Sequence, residues 1–233
     1  MRAVGWVAEL LRTRTTGVRI VHCRRGPYVP SAVALTFDDG PSTEWTPEIL
    51  DVLRAHGAHA TFFVLGAAVD GRETILRRAV AEGHELGNHA YSHADLAALD
   101  DEAIRDELEQ TNALVESSTG SRPRLFRPPY AGYDVRVARI AQDVGLSPTV
   151  LRSIDPADWR ERDPERIAGV VLDVVRPGSI VCLHDGVPPR SSAGTPDRRP
   201  TIEATREILA SLPARGLAST TVSDLLGLRG GAR

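Results

Sequence analysis

At 233 residues the chain has room for one domain with a sizeable core and too little for two joined by a linker. Its 42% hydrophobic and 25% charged residues fit a globular protein, and a net charge of −3 speaks against a nucleic-acid partner. All 28 basic residues are arginine, so Schiff-base chemistry, a pyridoxal-phosphate linkage and a P-loop lysine are excluded for want of an amine.

Residues 1–31 read as an N-terminal extension. Val4, Trp6, Val7, Leu10 and Leu11, broken by Glu9 and Arg12, predict a short amphipathic helix. The continuous apolar core and small-residue cleavage site of a signal peptide are missing, which points to a cytoplasmic protein. No run of 18 apolar residues exists to span a membrane. Cys23 and Cys182 are the only cysteines; with no C-x-x-C they are expected to be free, buried or half-buried thiols.

Over residues 32–227 short apolar runs alternate with helical patterns. Strands are predicted at Val33–Phe37, Ala60–Leu65, Glu85–Asn88, Leu125–Arg127, Pro148–Leu151, Ser179–Leu183 and Leu217–Thr221. A first helix starts at a Thr46-Pro47 cap and stops near Gly57. A second covers Gly71 to Glu82 with Ile75, Leu76, Ala79 and Val80 on one face. A third is capped by Asp100 or Asp101 and ends near Ser118, before Gly120. The fourth follows Asp163-Pro164, with Ile167, Val170, Val171 and Val174 as its buried stripe and Pro177-Gly178 as its stop. The fifth runs from Thr201 to about Pro213, and residues 228–233 form a tail. Such alternation means a single α/β domain around a parallel sheet, open or closed into a barrel. The polar stretch Gly186 to Pro200, with Arg190, Arg198 and Arg199, is either a solvated connection or a lid.

Three clusters fall at strand ends, where parallel α/β folds keep their chemistry. In Thr36-Phe37-Asp38-Asp39-Gly40-Pro41 a strand runs into two adjacent carboxylates, which point opposite ways on an extended chain and so can play two roles. In Asn88-His89-Ala90-Tyr91-Ser92-His93 two histidines four apart can converge on one metal; with Asp39 they make two imidazoles and a carboxylate, leaving room for water and substrate. In Ile180-Val181-Cys182-Leu183-His184-Asp185-Gly186 an apolar strand delivers a histidine at its end, a general acid if it sits beside that metal. Arg127-Pro128-Pro129-Tyr130 and Asp155-Pro156-Ala157-Asp158-Trp159 follow two more strands. His22, His56, His59 and His84 have no such partners and read as surface or packing residues.

These five segments, in this order, resemble the polysaccharide deacetylase or NodB-homology family over about Ala32 to Leu226. The resemblance implies a deformed (β/α) barrel of about seven parallel strands. It implies one divalent metal on Asp39, His89 and His93, zinc first, with cobalt or nickel as alternatives. It makes Asp38 the general base and His184 the general acid that protonates the leaving amine. Arg127 would hold Asp38, Asp158 would orient His184, and the Tyr130 backbone N–H would join the oxyanion hole. Trp159, Leu183 and Pro129 would line the acyl pocket. Ala90 stands where the family usually has Ser or Thr, which puts the rigidity of the loop between the two histidines in question.

The implied activity is removal of an N-acyl group from an amino sugar or short oligosaccharide. The same machinery would serve an amidase, imidase or esterase acting on a small metabolite. A non-haem iron oxygenase would share the two-histidine, one-carboxylate set but has no use for an acid and a base. A silent sugar-binding relative would be expected to have lost a ligand or the base, and this chain keeps them.

Overall fold

The computed structural model describes residues 17–26, 28–132, 134–189 and 197–228. The expected N-terminal helix, Arg190 and most of the 228–233 tail lie outside them.

Seven strands alternate with helices. They are β1 (Ile20–Val21), β2 (Ala32–Asp38), β3 (Thr61–Val64), β4 (Glu85–Asn88), β5 (Thr149–Val150), β6 (Ile180–His184) and β7 (Ala218–Thr220). The α-helices are α1 (Thr46–Ala55), α2 (Glu73–Ala81), α3 (Asp101–Thr119), α4 (Val135–Asp143), α5 (Pro164–Val174), α6 (Arg199–Ser211) and α7 (Val222–Leu226). Parallel ladders join β4, β3, β2 and β6 in that order, and β7 adds to the start of β2. The rest of the ring is held by single-residue bridges. Phe126 bridges both Asn88 and Thr149, Cys23 bridges to Ser179 just before β6 and Ile154 to Val181 within it, while β5 pairs with β1 over two residues. This is the deformed barrel of the sequence reading.

The strand pattern sorts side chains to two sides. Val33, Leu35 and Phe37 of β2 and Val181 and Leu183 of β6 pack outward in one cluster with Ile49 and Leu53 of α1, Ile167 and Val171 of α5 and Ile202 and Ile208 of α6. The alternate residues face inward. Ala34 and Ile180 meet Phe63, Val150 and the α7 residues Val222, Leu225 and Leu226, which fill the floor of the barrel. Above that floor, Thr36, Asp38, Cys182 and His184 occupy the same inner face, because β2 and β6 run in register with Thr36 opposite Cys182 and Asp38 opposite His184.

Several local expectations change. The Leu125–Arg127 strand shrinks to the bridges at Phe126, because Pro123, Pro128 and Pro129 around it carry no N–H to extend a ladder. β1, α4 and α7 were not foreseen; α4 is capped by Asp134, whose carboxylate accepts from the Val137 N–H at 2.8 Å. Asp100 and Asp163 do cap α3 and α5. Thr46 does not cap α1. Its hydroxyl accepts from the Ser42 N–H at 2.8 Å and donates to Asp185 at 2.6 Å, tying the start of α1 to the end of β6. The stripe of α5 is Ile167, Ala168, Val171 and Leu172, with Val170 and Val174 exposed; likewise Val80 of α2 is turned outward. In each case one helical turn faces a neighbour that simple counting of apolar residues does not locate.

Candidate active site

Asp38, the last residue of β2, is buried beside Arg127. The Arg127 guanidinium donates to Asp38 Oδ1 and to the Thr36 hydroxyl, each at 2.7 Å. Its remaining nitrogens reach the carbonyls of Val150 at 3.3 Å and Leu151 at 3.2 Å, and its plane lies 4.1 Å from the Phe63 ring centre. All three nitrogens of the buried cation are thus engaged, which makes the guanidinium a fixed counter-charge. Burial alone would raise the Asp38 pKa. The field of Arg127, helped by His89 and His184, outweighs it and holds the carboxyl below its usual value.

Asp39 takes the chain out of the strand with a φ of 76°, so its carboxylate points away from Arg127. Asp39 Oδ1 lies 3.5 Å from His89 Nε2 and 3.3 Å from His93 Nε2. His89 Nδ1 is 2.7 Å from the Arg127 carbonyl, to which it donates, leaving Nε2 to face Asp39. Burial, then the neighbouring His89, lowers the His93 pKa to about 4, so this ring is neutral near pH 7. The buried Asp39 Oδ1 has no hydrogen-bond partner in the protein, and the ligand atoms of Asp39, His89 and His93 all lie within 4.8 Å of one another. An unpartnered carboxylate oxygen facing two imidazole Nε2 atoms suits a divalent cation. The residues present therefore fit the metal that the sequence reading asked for.

The loop carrying the two histidines is braced from outside. Glu107 of α3 accepts the N–H groups of Tyr91 and Ser92 at 2.8 Å each and the Ser92 hydroxyl at 2.6 Å. Asn88 accepts the Ala90 N–H at 2.7 Å while its amide donates to Leu108 O and Asn112 Oδ1. The loop between the two histidines is thus braced by a carboxylate 15 residues beyond Ser92. The sequence motif includes Asn88 but assigns it no role, and Glu107 lies outside every motif. Their signal was available as polar residues, with Thr111 and Asn112, in or beside the buried stripe of α3 and at the buried end of β4.

His184 ends β6 opposite Asp38. Its Nδ1 is 2.7 Å from Asp158 Oδ1, and its backbone N–H donates to Asp158 Oδ2 at 2.9 Å. Thr201 of α6 also donates to Asp158, at 2.8 Å. Burial opposes charge on the ring, but the field and hydrogen bond of Asp158 win and raise the His184 pKa to about 9. Asp185 turns the other way, onto Thr46; burial first, then the charges of Asp39 and Asp38, lifts its pKa to about 7 despite that hydrogen bond. A Cβ on Gly40 would land on the Asp185 carboxylate, and one on Gly186 would land on the Asp39 carbonyl, so these two loops close on each other only through glycine.

Among the described residues, the non-glycine positions with positive φ are Asp39, Ala90, His93, Tyr130, Ala131 and Ala157. Asp39, Ala90 and His93 lie in the loops just described, Tyr130 and Ala131 in the turn after Arg127, and Ala157 beside Asp158. Such backbone costs roughly 1–3 kcal/mol per residue and persists where surrounding contacts enforce it, typically at functional sites.

The remaining site expectations divide. Tyr130 sets its ring edge-on to His93, 4.5 Å between ring centres, which puts its side chain beside the ligand set. Trp159 stands half exposed at the rim, next to the buried Asp158, with Arg160 5.4 Å from its ring centre. Pro129 is buried in the turn before Tyr130. Leu183 does not face the cleft; the register of β6 sends it into the outer core, and Cys182 takes the inward position. Arg198 is not a solvated loop arginine: it is buried and donates to the Gly186 carbonyl at 2.9 Å, pinning the root of the 186–200 stretch. Arg199 pairs at the surface with Asp197. His84 packs against His59 and Phe62 and accepts from the Ala60 N–H, a structural role as expected.

A buried Asp-His-His cluster that could hold a metal, flanked by a clamped carboxylate and a carboxylate-held imidazole, is an arrangement suited to metal-dependent hydrolysis. The family model for polysaccharide deacetylases matches residues 25–149, more than half of the chain. A chitooligosaccharide deacetylase of Sinorhizobium fredii is 41% identical over 83% of this chain and 90% of its own length. A peptidoglycan-N-acetylglucosamine deacetylase of Bacillus cereus is 34% identical over 86% of this chain and 70% of its own length. Among solved structures, a peptidoglycan N-acetylglucosamine deacetylase bound to a naphthyl N-hydroxybenzamide superposes with a TM-score of 0.83 and 30% identity, covering 92% of this chain and 96% of that one. The chain belongs to the polysaccharide deacetylase family. It is a metal-dependent enzyme of the class that removes N-acetyl groups from amino sugars.

Proposed function

We propose that the chain hydrolyses the acetamide of N-acetylglucosamine units in short oligosaccharides, with zinc on Asp39, His89 and His93. The observation that carries this reading is the pairing of Asp38 and His184 at the ends of adjacent in-register strands, beside that triad. A zinc ion held there supplies Lewis acidity, which acidifies water and polarises the acyl oxygen. The chain's own groups do the rest. Asp38, kept ionised by Arg127, takes the proton of the attacking water. His184, kept protonated by Asp158, gives its proton to the nitrogen as the C–N bond breaks, so that the amine leaves neutral. The Tyr130 N–H is assigned to the developing oxyanion, where a fixed donor stabilises charge that appears only in the transition state. The half-exposed Trp159 offers an apolar wall at the rim for the sugar or its methyl group.

The chitooligosaccharide deacetylase likeness over 90% of that relative supports a chitin-type substrate, and two imidazoles with one carboxylate support zinc. Mass spectrometry of products from N-acetylated mono- and oligosaccharides, peptidoglycan fragments and small acetamides tests the reading, with zinc, cobalt or nickel added to chelated enzyme. A free amine on the glucosamine oligosaccharides, fastest with zinc, is the expected result. Turnover confined to non-sugar amides or to esters overturns the substrate assignment.

A further inference from the structure

We propose that Cys182, His184 and Asp38 form a second cation site, selective for thiophilic divalent ions such as cadmium or excess zinc, and that filling it switches the enzyme off. The register of β2 and β6 places Cys182 below His184 on the same inner face, across from Thr36 and Asp38. Cys182 is 3% exposed, and its thiol lies 3.4 Å from Asp38 Oδ2. One sulfur, one nitrogen and one oxygen atom from the three residues fall within 4.8 Å of one another. These atoms have the right availability. Asp38 Oδ1 is held by Arg127, so Oδ2 is the oxygen left for another partner. His184 Nδ1 is held by Asp158, so Nε2 is the free nitrogen.

The donor sets of the two neighbouring sites differ in softness. Asp39, His89 and His93 offer oxygen and nitrogen only; the second set adds a sulfur, which favours soft ions. Zinc–sulfur and zinc–nitrogen distances of about 2.3 and 2.0–2.1 Å require the three donors to close in around the ion from their present spacing. Binding releases the thiol proton of Cys182 and the Nε2 proton of His184 to solvent, and the two anionic donors, thiolate and carboxylate, neutralise the ion. No redox step is involved. An ion there takes both the base and the acid out of use; this part of the inference rests on the roles given to Asp38 and His184, whereas the binding does not.

The test uses the zinc-loaded protein carrying Cys23→Ser, so that Cys182 is the sole thiol. Cadmium is titrated in while near-ultraviolet cadmium–thiolate absorption and deacetylation are followed together. A band that saturates at one added equivalent, with activity falling in parallel, is expected. In Cys182→Val and Cys182→Ser the band should vanish and the half-inhibiting cadmium concentration should rise at least tenfold, each variant being referred to its own uninhibited rate. No thiolate band in the parent, or equal inhibition in the Cys182 variants, overturns the site. A band with undiminished turnover overturns the switch. Cadmium displacing zinc from Asp39, His89 and His93 gives no band, since that set holds no sulfur. A chain that binds cadmium through Cys182 but deacetylates nothing would refute the proposed reaction and leave the cation site standing.

Discussion

Asp38 and His184 are register partners on β2 and β6, yet each is held by a different residue on its far side, Arg127 at 2.7 Å and Asp158 at 2.7 Å. One strand pair thus presents a carboxylate kept ionised and an imidazole kept protonated to the same space. Swapping either clamp should change one half of the reaction and leave the other.

Asp38→Asn and His184→Ala should each lower kcat by about 10²–10⁴, the usual contribution of a general base or acid, with zinc content unchanged because neither is assigned as a ligand of the first ion. His93→Ala should instead lose the metal. Metal analysis alongside kcat distinguishes these outcomes; full turnover in Asp38→Asn removes that residue from the mechanism.

The pH dependence follows from the sign of the His184 shift. The acid works only when protonated, and Asp158 raises its pKa to about 9, so the protonated fraction is high at pH 7 and is lost as pH rises through about 9. A bound cation pulls that value down from there. Asp158→Asn removes the raising charge, so the alkaline limb of the kcat/KM profile should move to lower pH, leaving the acid limb in place. An alkaline limb that stays put would contradict the Asp158 role.

Arg127→Met should destabilise the fold by roughly 3–5 kcal/mol, since it leaves the buried Asp38 carboxylate without its counter-charge. The double variant Arg127→Met with Asp38→Asn should recover much of that loss. Denaturant midpoints measure both, and additive losses in the double variant would show that the two residues do not act as a pair.

Much of the site was legible because its chemistry lies in contiguous motifs. Asp38-Asp39, His89 to His93 and His184 each mark a strand end, and strand ends of a parallel fold gather on one rim. The seven strands were legible in number but not in identity. Phe126 is too closely bracketed by prolines to be more than a bridge, and β1 is too short to carry a pattern. The braces were not legible for a different reason. Glu107, Thr46 and Thr201 act across 15, 139 and 43 residues of sequence, and nothing in a local motif connects Thr46 with Asp185. Leu183 failed as a pocket residue because period-two alternation, counted from His184, assigns the inward position to Cys182 instead.

Glu107 gives that lesson a test. Removing it in Glu107→Ala deletes three hydrogen bonds to the histidine loop and should weaken zinc binding about 10–100-fold, as loss of supporting partners around a metal ligand commonly does. Competition with a zinc chelator reads this directly. Wild-type affinity in the variant would mean that the strained His89–His93 loop holds its shape without α3.

The most direct test of the whole account is acetate release from an N-acetylglucosamine oligosaccharide as zinc is returned to chelated protein. Acetate production should be absent without metal, rise in proportion to added zinc and level off at one equivalent per chain, with one free amine formed per acetate. Undiminished acetate release from the chelated protein, or none at any zinc level, would contradict it.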